Sequence, residues 1–195
     1  EALPNLGEFG RALHQMAPEF LAYCSRNLAN IASHPSAQRL DGVFEGVPAV
    51  IVAAGPSLDK NIARLKEVKG RAVIIAINQT VRALRKAGVQ PDIVLACDYQ
   101  NLAYQFEGVQ PGELPALGLG ASVKPDLFGV PADHTFTFAA SPILENWIYG
   151  LLGEEAGTMA AGTVSVSALF LALRMGCSPI SVIGLDLALA GRKYY

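Results

Sequence analysis

The chain has 195 residues, 51% of them hydrophobic, with a formal net charge of −2. That length supports one domain with a sizeable core, and that hydrophobic content excludes a disordered chain. The balanced charge argues against an extensive nucleic-acid footprint, and no run of about 18 apolar residues offers a membrane span.

The first segment, Leu6 to Ala32, reads as a long helix, because Phe9, Leu13, Met16, Phe20, Cys24, Leu28 and Ile31 recur every three or four positions. Pro18 interrupts it, so a kink or two shorter helices are expected. His34, Pro35 and Ser36 read as a linker, and residues 41–46 as a short strand or hairpin. Residues 1–40 are thus an N-terminal helical segment with its linker, and 41–195 the main domain. From Pro48 onward, strand-like and helix-like segments alternate. Strands are expected at 49–53, 72–77, 92–97, 116–119, 135–138 and 180–183, and helices at 59–68, 80–87, 143–152 and 164–175. Several strands are continuously apolar, as strands covered on both faces must be. Glycines at 70, 88, 153 and 176 suit helix C-terminal caps. The alternation predicts an α/β fold with a Rossmann-like, mostly parallel sheet flanked by helices.

Cys24, Cys97 and Cys177 lie far apart and lack metal-ligand spacing, which points to buried thiols in a reducing cytoplasm. No secretory signal opens the chain. It starts at Glu1 without methionine and ends at Gly191-Arg-Lys-Tyr-Tyr195, so both ends read as cut and the domain as truncated at its C-terminus.

In a parallel sheet, ligands bind outside the carboxyl ends of the strands. The residues that follow the strands are therefore the candidates: Ala54, Gly55, Pro56 and Ser57; Asn78, Gln79 and Thr80; Asp98, Tyr99 and Gln100; Gly120, Ala121 and Ser122; Gly184, Leu185 and Asp186. The first group joins a strand to a helix start by small residues, a place where a phosphate can sit. It is neither a dinucleotide fingerprint nor a Walker loop, since no Gly-Lys-Ser/Thr follows. Gly162-Thr163-Val164-Ser165 gives a second helix N-terminus for an anion.

Each candidate has a plainer use. Ser57 can cap its helix or donate to a phosphate. Asn78 can make a turn or read a ribose or base edge. Asp98 can cap, bind ribose, hold a metal or act as a base. Asp186 can do similar work or fix its own loop through backbone N–H groups. His14, His34 and His134 form no recognisable site, and no nucleophile elbow or metalloprotease motif is present. Trp147, with Ile143, Leu144, Ile148 and Leu151, reads as helix core rather than a sugar platform.

Three blocks, Ile51 to Leu58, Pro91 to Asp98 and Gly162 to Leu187, together resemble the motility-associated factor (Maf) flagellin glycosyltransferases. The central domain of that family is related to the archaeal 6-hydroxymethylpterin diphosphokinases. The similarity spans about Val47 to Tyr195. The same blocks resemble, more distantly, bacterial sialyltransferases that cap lipooligosaccharides. In those enzymes the places matching Ala54-Gly55-Pro56-Ser57, Asn78, Ala160-Ala161-Gly162 and Gly184-Leu185-Asp186 hold the nucleotide of a CMP-sugar. The resemblance implies nucleotide binding by Ala54, Gly55, Pro56, Ser57, Asn78, Gly162, Gly184 and Asp186, and their places on the rim add Asp98 and Thr163. It also implies a CMP-activated nonulosonic acid as donor and flagellin as acceptor, with no cofactor beyond the donor. Ala54 replaces an asparagine and Ala160-Ala161 a Thr-Ser pair, so phosphate contact is left to backbone N–H groups, Ser57, Thr163 or Ser165. The general base is unassigned, with Asp98 and Asp186 as candidates, and Gly191-Arg-Lys-Tyr194 resembles a variant of the Maf tail. A pterin diphosphokinase using ATP and Mg²⁺, or a nucleotide-binding module without catalysis, are the alternatives.

Overall fold

The computed structural model describes residues 18–140, 142–159 and 162–187. Strands β1 (Ala49–Val52), β2 (Val73–Ile77), β3 (Ile93–Ala96), β4 (Ala116–Gly120), β5 (His134–Phe138) and β6 (Ile180–Ile183) form one sheet in the order β5-β4-β3-β2-β1-β6. Every neighbouring pair is parallel, with Val50 opposite Ile74 and Ser181, and Val94 opposite Ala76 and Leu117. This is the Rossmann-like α/β arrangement expected from the alternation.

Strands inside a parallel sheet are covered on both faces, and the apolar runs supply both, whereas β6 at the sheet's edge leaves Ser181 and Val182 exposed. All residues of β2 and β3 are buried. One face packs Val52, Ile74, Ala76, Val94, Leu117 and Leu119 against Leu58 and Leu65 of the helices α2 (Leu58–Asn61) and α3 (Leu65–Val68) and Leu84 of α4 (Val81–Ala87). The other packs Ala49, Ile51, Ile75, Leu95 and Phe136 against Leu171, Ala172 and Met175, at and just beyond the end of the long helix α6 (Val164–Arg174). On that side β4 carries Gly118, because Leu95 and Phe136 fill the space a methyl group would need.

Two expected elements differ. The helix expected at 59–68 is broken into α2, a 3₁₀ turn (Ile62–Arg64) and α3. Asn61 Nδ2 donates to the Ser57 carbonyl at 3.2 Å, the competition with the backbone that makes asparagine a poor interior helix residue. The strand expected at 41–46 is a series of turns. Its N–H groups at Gly42, Phe44 and Gly46 donate to the carbonyls of Arg174, Met175 and Gly176, each at 2.8 Å. Those carbonyls end α6 and have no partner within the helix. Arg174 in turn forks onto both oxygens of Asp41 at 2.9 and 2.7 Å.

Within the described part of the N-terminal segment, residues 18–26 are helical and lead into α1 (Leu28–Ser33). A break falls at Asn27, while Leu6 to Ala17, and with them the approach to the interruption expected at Pro18, lie outside the described residues. Asn27 Nδ2 donates to the carbonyls of Ala121 at 3.0 Å and Val123 at 2.7 Å, so the break lets a side chain reach the loop after β4. Cys24 and Ile31 pack with Ala121, Ala139, Ile148, Tyr149 and Ala156, whereas Leu28 is exposed. Ser36 then pairs with Thr137 and covers the open edge of β5. The buried face of α5 (Pro142–Leu151) carries Glu145, Ile148 and Tyr149, three and four residues apart, which turns Trp147 outward. Trp147 is 61% exposed and Leu151 66%, so neither is the core residue expected. Among the described residues no helix is long and apolar enough to cross a membrane.

Replacing Asn27 by Ala leaves two buried carbonyls unpaired. We expect a loss of about 1–3 kcal/mol in a urea unfolding curve, at unchanged m-value; a loss under about 0.5 kcal/mol would show that the contact does not anchor the helix.

Candidate functional site

The winding direction of the sheet reverses at β1, which lies between β2 and β6, and the crevice of a doubly wound fold belongs there. The loops after β1 and β6 meet at this point. Gly55 N donates to the Gly184 carbonyl at 2.6 Å, and Ser57 N donates to Asp186 Oδ2 at 2.8 Å. Gly184 has φ +70 and lies so close to Ala53 that a side chain would strike its carbonyl. Gly55 likewise has no room for a methyl group beside Asp186 and Gly184. The Gly-Pro-Ser turn is therefore clasped by this chain's own carbonyl and carboxylate. Ser57 makes no side-chain cap bond, and α2 is only four residues long.

The loops after β2 and β3 also interlock. Asn78 is buried and its Nδ2 donates to Gln105 Oε1 at 2.7 Å. Gln105 sits in the 3₁₀ turn Ala103–Phe106, which the segment after β3 reaches by two side-chain turns. Asp98 Oδ1 accepts from Gln100 N at 3.0 Å, and Asn101 Oδ1 from Ala103 N at 3.3 Å. Asp98 is half-buried. Gln105 carries no motif; only its place in the segment just beyond Asp98 pointed towards the rim.

Helix α6 brings its N-terminus to the same rim. Thr163 caps it by accepting from Val166 N at 3.4 Å, and Gly162 has open space around it. Ser167, one turn in, donates to the Met159 carbonyl at 2.9 Å and lies against Cys97, which follows β3. The structure thus pairs Gly55 with Gly184, Ser57 with Asp186 and Asn78 with Gln105. Ala54 and Pro56 are half-buried within the first turn. Ala160, Ala161 and Gly191 to Tyr194 lie outside the described residues, as does His14. His34 stacks near Phe128 and His134 is exposed at the start of β5. A separate cavity of about 210 Å³, lined by Arg85, Val89, Gln90, Gly112 and Leu114 among others, lies at the amino ends of β3 and β4, away from the rim.

With the rim in place, the comparisons decide the family. The model of the 6-hydroxymethylpterin diphosphokinase MptE-like family matches residues 24–192. The chain belongs to this family. No curated protein matches it. Among solved structures, the MAf glycosyltransferase from Magnetospirillum magneticum AMB-1 shares the fold with a TM-score of 0.61 at 22% identity. That match covers 80% of this chain and 27% of the other, so the MptE-like chain described here spans about a quarter of that protein.

The wall of this MptE-like rim holds protonated groups. Burial, helped by Glu145, pushes the Cys24 thiol from 9.0 to about 12. Burial foremost, with Asp98 and Glu145 adding to it and a Ser167 hydrogen bond opposing it, also pushes Cys97 to about 12. Burial is the main cause raising the Tyr149 phenol as well. Each group holds its proton more tightly folded than unfolded. The stability they contribute is whole below the unfolded thiol value of 9.0 and is lost as pH rises through it towards about 12. The urea midpoint is expected to fall over that window, with a shallower fall in Cys97→Ala. A midpoint that stays level to about pH 11 would contradict the assignment.

Proposed function

We propose that this chain is the donor-binding domain of a glycosyltransferase. Its donor would be a CMP-activated nonulosonic acid of the sialic, pseudaminic or legionaminic type, and its acceptor a flagellin serine or threonine hydroxyl, in the cytoplasm of a motile cell. The observation that carries the reading is the fold shared with a MAf glycosyltransferase over 80% of this chain. The reversal of winding at β1 supports it by setting a crevice beside the residues that the resemblance assigns to the nucleotide.

In this reading the acceptor hydroxyl attacks the anomeric carbon, the bond to the phosphate oxygen breaks and CMP leaves. The departing phosphate needs stabilisation and the hydroxyl needs a base. The N-terminus of α6 is the stronger source of stabilisation. That helix has eleven residues, long enough to develop a terminal partial charge, and its start is open at Gly162. Gly55 and Ser57 have their N–H groups engaged, so they shape the crevice while Asp186 holds the turn. Asp98 and Asp186 each have one carboxylate oxygen engaged by a backbone N–H, from Gln100 and Ser57, and each keeps the other for the role of base. The donor needs no metal in this scheme.

The family description favours a second reading, a diphosphokinase using ATP and Mg²⁺, with Asp98 or Asp186 beside the metal. The stretches 54–57, 78–80, 98–100, 120–122, 162–165 and 184–186 contain no lysine or arginine, which suits a CMP-sugar better than a triphosphate. Calorimetric titration with CMP, CMP-sialic acid and ATP–Mg²⁺, each alone, separates the two. Saturable cytidine binding without metal is expected. Metal-dependent ATP binding with no response to CMP would replace the transferase by the kinase, and silence towards all three would favour a module without catalysis.

A further inference from the structure

Gln105 is the residue through which the rim asparagine is held. Asn78 is 3% exposed and Gln105 6%, so neither amide faces bulk solvent. Asn78 Nδ2 donates to Gln105 Oε1 at 2.7 Å, and Gln105 Nε2 donates to the Tyr104 hydroxyl at 3.0 Å. Tyr104 is half exposed, with the Arg82 guanidinium 5.7 Å from its ring centre, and Arg82 is held by Glu107 at 2.7 Å. This chain of bonds commits the amino side of Asn78. Its Oδ1 is left buried without a partner among the described residues. A buried acceptor without a donor is rare and costly, and folding by itself gains nothing from it. The cost is recovered when a ligand supplies an N–H or O–H.

We infer that Gln105 is a positioning residue: it sets the Asn78 amide with the oxygen free, so that the site reads a hydrogen-bond donor on the nucleoside. The inference rests on the nucleotide reading proposed above and adds its selectivity. A cytidine nucleotide carries such a donor in two places, the 4-amino group of the base and the ribose hydroxyls. UMP presents an oxygen at position 4 instead, and the two oxygens would repel. The 2′-deoxy and 3′-deoxy forms of CMP each lack one hydroxyl. An acceptor fixed in place rejects the analogue that lacks the donor more strongly than an apolar contact would.

The test titrates wild type, Gln105→Leu, Gln105→Glu and Tyr104→Phe with CMP, UMP, 2′-deoxyCMP and 3′-deoxyCMP. Wild type is expected to bind CMP roughly tenfold tighter than one of the analogues, and the penalised analogue identifies the donor. Gln105→Leu frees the amide to turn and offer either edge, so that ratio should shrink severalfold towards one. Gln105→Glu still accepts from Asn78 Nδ2, and the ratio should survive. Tyr104→Phe removes the partner of Gln105 Nε2 at a half-exposed position, so it should lower the ratio in a folded protein even where leucine at 105 is not tolerated. Equal weakening of all four ligands in Gln105→Leu, or no discrimination in wild type, would overturn the inference and leave the nucleotide reading standing. Failure of wild type to bind any of the four would overturn that reading, and this inference with it.

Discussion

A parallel strand cannot return to its neighbour by a hairpin, so each crossover must pass over a face of the sheet and close it from water. That constraint organises the molecule. With β2 and β3 buried in full, polar side chains have no place along these two strands and collect in the loops beyond their carboxyl ends. Asn78 is the first residue after β2, and Asp98 follows β3 by one residue beyond Cys97. The N-terminal helices and α5 belong to the same logic. Through Asn27, Cys24 and Tyr149 they close the carboxyl ends of β4 and β5, which leaves the rim open around β1 to β3.

Within that opening the two helix starts are unequal. The turn after β1 leads into a helix of four residues, and Asp186 already lies on its Ser57 N–H. The carboxylate does there what a bound anion would do, and ties β6 to β1 at the point where the winding reverses. Helix α6 has eleven residues packed along β1, β2 and β3, and among the described residues its first turn is capped by its own Thr163. A terminal partial charge grows with aligned peptide dipoles and depends on unpaired N–H groups, so α6 holds more of it. The glycines of the first turn serve close approach between two loops of the same chain.

Much of this was legible in the sequence because burial on both faces writes itself as uninterrupted apolar runs. All six expected strands exist, with edges shifted by a residue or two. Failures fall where a side chain competes with a regular pattern. Asn61 interrupts the helix expected at 59–68 by bonding to a backbone carbonyl. Trp147 was assigned to a core by its hydrophobicity, but the buried face of its helix is chosen by Glu145 and Tyr149, polar residues whose burial no apolar periodicity reveals. The clasp between Ser57 and Asp186 joins residues 129 apart in sequence, and local chemistry at either end fits several uses. Gln105 was missed for a related reason: a lone glutamine in a loop carries no pattern until Asn78 is seen against it.

The chemistry of the rim also follows from what it lacks. The loop stretches named above hold Asp98 and Asp186 but no lysine or arginine, and the nearby thiols and phenol keep their protons. An anionic nucleotide cannot be drawn there by ion pairs with these loops. Under the reading proposed above, its recognition would rest on backbone N–H groups, amide edges and hydroxyls, whose attraction is short in range and steep in angle. Such donors and acceptors discriminate only when they cannot turn. In water an asparagine amide offers either edge at little cost, whereas Asn78 is buried with its Nδ2 engaged by Gln105 Oε1. Selectivity at a rim without lysine or arginine is therefore a property of the residues behind the contact as much as of the contact itself.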